Sequence, residues 1–329
     1  MIRARGLTKT FHRKGDTIRA VENVDIDVAE GELVAFLGPN GAGKSTTMRM
    51  LTSLLTPTSG TAEVAGFDVV REPSLVRSRI GYIGQGNGGG YSYKVRDELH
   101  NQGRFYGLPG REYRRRAADL IDALELGGLE KRGISSLSGG QKRRLDVALG
   151  LMNHPPLLFL DEPSTGLDPH SRANLWEHIS ALRERTGMTI VLTTHYLEEA
   201  DKMAERVVVI DHGRVVADAP PADLERDYAD DVITASVAID RPDSLAAVPD
   251  RIRKCLPPDI GEVEVTPAPD GADTATVTIA TTYGAERLPI ALEALRLAGW
   301  TVQSASLTQA SLDDVFLNLT GRSLREEVA

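Results

Sequence analysis

The sequence predicts an α/β chain in which a mostly parallel sheet flanked by helices is followed by a small α+β sandwich. Three observations point there. Short apolar runs at 33–37, 157–160 and 189–194 each lead into a turn and then a helical pattern, as strands buried on both faces of a parallel sheet do. Gly38, Gly41 and Gly43, just before Lys44-Ser45-Thr46, sit between the first of these runs and a helix. Beyond residue 232 the order becomes strand, helix, strand, strand, helix, strand.

A chain of 329 residues with 41% apolar residues can bury a sizeable core, and its length fits two domains, placed at 1–222 and 223–329. The formal net charge of −9 argues against a nucleic-acid partner. The single cysteine, Cys255, excludes an intrachain disulfide and a cysteine-rich metal site, and fits a reducing cytosol. No run approaches the roughly 18 apolar residues that span a bilayer, and Met1-Ile2-Arg3-Ala4-Arg5-Gly6 carries no signal-peptide core. Any membrane role must therefore come through a partner.

Residues 1–31 read as antiparallel β structure, because Val24, Ile26 and Val28 alternate with Asn23, Asp25 and Asp27. Phe11 is expected in a polar loop, 8–14, where an aromatic ahead of a nucleotide site could stack on a base. The strand at 33–37 runs into Gly38-Pro39-Asn40-Gly41-Ala42-Gly43-Lys44-Ser45-Thr46, and Met48, Leu51 and Leu55 follow at helical spacing. This is the strand, glycine-rich loop and helix of a P-loop: the glycines turn successive amides onto a phosphate chain, Lys44 supplies charge to the β and γ phosphates, and the Ser45 hydroxyl ligates magnesium. A turn at 56–60, a strand pair within 62–70 and the segment 77–83 lead to Gln85 and a surface loop, Gly86-Asn87-Gly88-Gly89-Gly90. The region 95–126 is helical, with Arg111, Arg114, Arg115 and Arg116 as a solvated face.

The stretch 137–168 organises the rest. Ser138-Gly139-Gly140 should open a helix over 141–152 whose bare first amides attract oxyanions, and Leu145, Leu149 and Met152 form its apolar stripe. Asn153-His154-Pro155-Pro156 ends it. The buried strand at 157–160 then delivers Asp161 and Glu162 to the sheet's C-terminal edge, where open α/β sheets place ligands. A helix after Pro169 shows Leu175, Ile179 and Leu182 on one face, the strand at 189–194 ends at His195, a helix covers 196–204, and a hairpin surrounds 211–213. Ala219-Pro220-Pro221 marks a break. The second domain has strands at 232–239, 262–266, 274–280 and 301–307, helices at 244–256 and 286–298, and a turn at Pro269-Asp270-Gly271, an order expected of a ferredoxin-like sandwich. A last helix, 311–319, puts Leu312, Val315, Phe316 and Leu319 on one side, and its periodicity leaves open whether it closes this domain or docks on another chain.

These parts suit metal-assisted phosphoanhydride hydrolysis. Asp161 would hold the metal shell, Glu162 polarise the attacking water, His195 stabilise charge on the phosphate or orient Glu162, and Gln85 complete the shell. Their order resembles the nucleotide-binding subunit of ATP-binding cassette (ABC) transporters: an aromatic A-loop position at Phe11, Walker A at 38–46, Q-loop Gln85, the LSGGQ signature at 137–141, Walker B at 157–161 with Glu162, a D-loop at 164–168, and the switch His195. The resemblance implies a RecA-like core with an antiparallel β subdomain and a helical signature subdomain, and ATP and Mg2+ as cofactors. It also implies a second, identical ATP-binding subunit arranged head to tail. ATP would meet Phe11, residues Gly38, Pro39, Asn40, Gly41, Ala42, Gly43, Lys44, Ser45 and Thr46, and Gln85. Ser138, Gly139, Gly140, Gln141 and Asp168 would serve the partner's nucleotide. Ser45, Gln85 and Asp161 would hold the metal, and Glu162, His195 and Lys44 would be catalytic.

The segments 310–321 and 193–201 are similar to the daunorubicin/doxorubicin resistance ATPase group. That implies a separate ABC-2 type permease, export of a drug, antibiotic or lipid-like compound, and a peripheral place on the cytoplasmic face of the cell membrane. The glycine run at 86–90 departs from the family pattern in the region that faces the permease. Competing readings are a non-transport ABC ATPase, which would carry two cassettes or a long coiled coil, and a regulatory nucleotide-binding module, against which Glu162 and His195 argue.

Overall fold

The computed structural model describes residues 1–13, 16–86, 93–238, 248–267 and 274–321, and the chain divides into two compact units between Pro220 and Pro221.

In the first unit β1 (Ile2–Arg13) pairs antiparallel with β2 (Asp16–Val28). Ile2, Ala4, Leu7, Val24, Ile26 and Val28 are buried on one side of this ribbon, as the alternation requires. The polar loop expected around Phe11 is instead strand: Phe11 pairs with Ile18, because β1 continues through Arg13. Polar residues can form strand wherever cross-strand pairing continues, even with both faces exposed. The chain then enters the core as β3 (Leu33–Leu37), turns through the glycine-rich loop into α1 (Lys44–Leu51), and returns to the first sheet as β4 (Ser59–Val64) and β5 (Phe67–Asp68). Leu55 lies beyond the end of α1.

The segments α2 (Pro73–Arg79) and β6 (Ile80–Ile83) follow, then α3 (Val95–Phe105), α4 (Gly110–Ala123) and α5 (Gly139–Gly150). The four-arginine face needs one correction. Arg111, Arg114 and Arg115 are exposed, but Arg116 is half-buried and donates through Nε and Nη2 to Leu151 O at 3.2 and 2.9 Å, satisfying a carbonyl just past the end of α5. The remaining elements are β7 (Leu157–Asp161), α6 (Pro169–Thr186), β8 (Thr189–Thr194), α7 (Leu197–Met203), β9 (Arg206–Asp211) and β10 (Arg214–Ala219).

The central sheet has the order β10-β9-β3-β8-β7-β6, parallel throughout except for β10. Every residue of β3, β7 and β8 is buried, which is why these strands read as unbroken apolar runs. Their register matters most for function. Leu37 lies beside Thr194 and Asp161 beside Thr193, so the three strands end together. The glycine-rich loop, Asp161-Glu162 and His195 therefore emerge at one edge.

The second unit opens with a helix absent from the sequence expectation, α8 (Pro221–Tyr228). Pro221, read as part of a break, is its first residue, a position where the missing N–H costs nothing. It continues through β11 (Asp231–Ala238), α9 (Val248–Cys255), β12 (Glu262–Pro267), β13 (Thr274–Thr281), α10 (Gly284–Leu297), β14 (Thr301–Thr308) and α11 (Leu312–Thr320). The sheet order β12-β13-β11-β14, antiparallel at every pairing, is that of a split βαβ sandwich. The Pro269-Asp270-Gly271 turn and the start expected for the 244–256 helix fall outside the described residues.

Tertiary packing decides the role of α11: it packs on α8 within its own unit, and Asn318 Nδ2 donates to Tyr228 O at 2.8 Å. Leu224 and Phe316 are each 1% exposed, so Phe316→Ala is expected to destabilise this unit by about 3–5 kcal/mol through the cavity it leaves. Urea unfolding followed by tryptophan fluorescence checks this, since Trp300 lies in the core of the same unit.

Candidate active site

The loop from β3 to α1 depends on glycine where a neighbour comes close. Gly43 has φ +106°, and a Cβ there would lie 2.5 Å from Ala20 O on β2. A side chain at this position adds strain on the order of 1–3 kcal/mol, so Gly43→Ala should weaken ATP binding roughly tenfold to a hundredfold, measurable by nucleotide titration. Lys44 is buried, and its Nζ donates to Gly38 O at 2.6 Å and Pro39 O at 3.0 Å, holding the ammonium inside the loop.

Asp161, 1% exposed at the end of β7, accepts at Oδ1 from Ser45 Oγ (2.9 Å) and Thr193 Oγ1 (2.7 Å), and at Oδ2 from Tyr82 OH (3.3 Å). Burial, and then the Asp161 charge, push the Tyr82 phenol above its ordinary range, so it stays a donor. Gln85 Nε2 lies 3.5 Å from Ser45 Oγ, and turning its amide would present an oxygen instead. A hydroxyl, a carboxylate and an amide oxygen are hard donors that fit Mg2+ once phosphate oxygens join them. Among the described residues no group of three or more His, Cys, Asp or Glu side chains is placed to hold a metal.

Glu162 has a left-handed backbone, φ +48°, uncommon for a residue with a side chain and typical of functional sites under constraint. Its N–H is held by both the carbonyl and the hydroxyl of Thr193 at 3.1 Å, which fixes that turn. The Glu162 carboxylate accepts from Thr165 Oγ1 at 3.2 Å and stands 3.6 Å from His195 Nδ1. The His195 imidazole, above all, and more weakly Lys44 hold this carboxyl below its ordinary range despite burial, so it is ionised at neutral pH. Among the described residues His195 Nδ1 makes no hydrogen bond, leaving the nitrogen aimed at Glu162 without a partner of normal length.

The structure thus gathers Lys44, Ser45, Gln85, Asp161, Glu162 and His195. Ser138, Gly139, Gly140, Gln141 and Asp168 form a second group. There the expectation of bare amides is corrected: Ser138 and Gln141 make a reciprocal capping box, in which Ser138 Oγ accepts from Gln141 N and Gln141 Oε1 accepts from Ser138 N. An anion would find the amides of Gly139 and Gly140. Asp168 caps α6 through Ser171. Phe11 is 39% exposed on its strand, with Lys9 Nζ 5.3 Å above its ring. Gly86 is exposed, and Asn87 to Gly90 lie outside the described residues.

Sequence reasoning missed Arg143. Its guanidinium, 6% exposed on α5, donates to Pro163 O (2.6 Å) and Gly84 O (2.7 Å), with Asp161 O and Glu162 O at 3.4 Å. It ties the signature helix to the backbone on both sides of the two carboxylates. The available signal was its i,i+3 spacing from Asp146 on the helix, now an ion pair at 4.0 Å.

A sequence profile of the ABC transporter family matches residues 21–165. The chain is 40% identical over 321 residues to the daunorubicin resistance ATP-binding protein DrrA2 of Streptomyces coeruleorubidus, covering 97% of this chain and 95% of the relative. It is 34% identical to the Nod factor export ATP-binding protein I of Paraburkholderia xenovorans, covering 93% of each. Among solved structures, the dimeric ATP-binding cassette MJ0796 bound to ADP and Pi superposes with a TM-score of 0.62 at 28% identity, over 67% of this chain and 98% of that one.

Proposed function

Because this chain belongs to the ABC transporter family, in its daunorubicin/doxorubicin resistance group of ATP-binding subunits, we propose that it drives export of a drug, antibiotic or lipid-like compound through a separate ABC-2 type permease. It is an ATP-binding, ATP-hydrolysing subunit. The observation that carries the catalytic reading is the Ser45–Asp161 bond, which brings the glycine-rich loop and the acidic strand end together beside the Glu162–His195 pair.

In this reading Lys44 leaves its loop carbonyls for the β and γ phosphates, and the amides of residues 38–46 cradle the phosphate chain. Phe11 stacks on the base. Ser45, Asp161 and Gln85 would hold Mg2+, which when bound would neutralise phosphate charge. Glu162, ionised, accepts a proton from the attacking water, and His195 keeps its carboxylate turned toward that water. Ser138, Gly139, Gly140, Gln141 and Asp168 cover the ATP held by a second copy, so each dimer closes on two nucleotides. No helix among the described residues is long and apolar enough to cross a membrane, which fits a peripheral subunit on the cytoplasmic face that reaches the membrane through its permease.

Affinity purification of the tagged chain from detergent-solubilised native membranes tests the transport reading. An integral protein with about six spanning helices is expected to copurify, its reading frame adjoining this one, and deletion should raise susceptibility in a drug-susceptibility profile. If no such protein copurifies and susceptibility is unchanged, export is the wrong output for this ATPase.

A further inference from the structure

The first turn of α6 meets the signature helix and, through Tyr196, reaches the switch histidine. Asp168 caps that turn, accepting from Ser171 N at 2.9 Å and Ser171 Oγ at 2.6 Å. Ser171 Oγ lies 2.9 Å from where a Cβ on Gly140 would stand, so α5 and α6 meet there with no room for a side chain. One residue on, the Arg172 guanidinium sits 3.8 Å from the centre of the Tyr196 ring, and that ring is 4.2 Å from the His195 imidazole. The buried Glu199 links both ends, firmly only at one: Oε2 accepts from Thr194 Oγ1, which itself accepts from Tyr196 N, each at 2.9 Å, while Oε1 stands 3.7 Å from Arg172 Nε, an ion-pair separation without a hydrogen bond. The guanidinium, phenol ring and imidazole are thus in successive contact, the two rings tilted by 38°, and the imidazole nitrogen stands 3.6 Å from Glu162.

We propose that Arg172 and Tyr196 are positioning residues for ATP hydrolysis, transmitting the placement of the Asp168 loop and the signature helix to His195 and so to the Glu162 carboxylate. The inference rests on the roles given above to His195 and Glu162. Its physical basis is the orphaned His195 Nδ1. Among the described residues no hydrogen bond of normal length fixes that nitrogen, so the contact of the imidazole with the Tyr196 ring sets where it stands. Displacement of α6 when its cap meets a nucleotide or a second copy would then slide Arg172 along Tyr196 and alter the 3.6 Å separation. A misplacement of about 1 Å at such a site is enough to cost roughly a hundredfold in rate.

The test is steady-state ATPase kinetics of the full chain with ATP and Mg2+, alongside titration with a fluorescent ATP analogue. Arg172→Gln and Tyr196→Leu should each lower kcat about tenfold while KM and analogue affinity change less than about twofold, the signature of an interaction that acts only in the transition state. The paired variant should be no slower than either single one, because both break the same link. Tyr196→Phe, which keeps the ring, should restore kcat to within about twofold of wild type. Unchanged kcat in the single variants, multiplicative losses in the pair, or loss of analogue binding in step with rate would each overturn the proposal; the last would mean that these residues merely hold the fold. His195→Ala in the same series separates the two levels. If it turns over normally, the role of His195 itself is wrong; if it is slow while Arg172→Gln is not, only the positioning link fails.

Discussion

Glu162→Gln is expected to lower ATP hydrolysis by about a hundredfold to ten-thousandfold while leaving ATP binding intact, and to trap the protein as a dimer in ATP and Mg2+. The substitution preserves shape. It keeps the left-handed backbone held by Thr193 and an oxygen for the Thr165 hydroxyl, and removes only the charge and the capacity to take a proton. The neighbouring imidazole keeps this carboxyl below its ordinary range, so the wild-type group is ionised at neutral pH and has a site for the proton, which the amide lacks. With hydrolysis blocked, nothing resets the closed state. Sedimentation velocity with and without ATP, together with phosphate release, checks both halves. A variant that stays monomeric and hydrolyses at the original rate would sink the assignment of Glu162.

Arg143→Ala is expected to be the most damaging substitution in the first unit outside its apolar core. It strips donors from Pro163 O and Gly84 O in a site 6% exposed, and removes the guanidinium 4.0 Å from the buried Asp146. Burial disfavours the charged guanidinium, and removing one partner of such a buried pair typically costs about 3–5 kcal/mol. For a unit of this size that lowers Tm by on the order of 10 °C in a thermal melt. Arg143→Lys should rescue little, since a single ammonium lacks the planar fork that serves the two carbonyls. A melt within about 2 °C of wild type for the alanine variant would show that the four backbone contacts are incidental.

Much of the fold was legible in the sequence because its signals are local. The runs 33–37 and 189–194 coincide with β3 and β8, buried at every residue, and the βαββαβ order of the second unit appears in its sheet. Where local signals were weak the reading failed. The polar stretch around Phe11 is strand because β2 pairs with it, and Pro221 opens a helix because α11 packs against it. Arg116 reads as surface charge in the sequence and Arg143 is not singled out there; each is a donor to carbonyls remote in sequence.

By itself the sequence determined which chemical groups this ATPase possesses, since the glycine-rich loop, Asp161, Glu162, His195 and the signature are each marked by residue type and spacing within one short segment. Only the tertiary structure decided which of them meet. The in-phase register of β3, β7 and β8 sets Ser45 against Asp161 and His195 beside Glu162, and the packing of α5 on α6 sets Gly140 against Ser171. Register and packing are contacts between segments far apart in the chain, stabilised by burial that no local periodicity encodes.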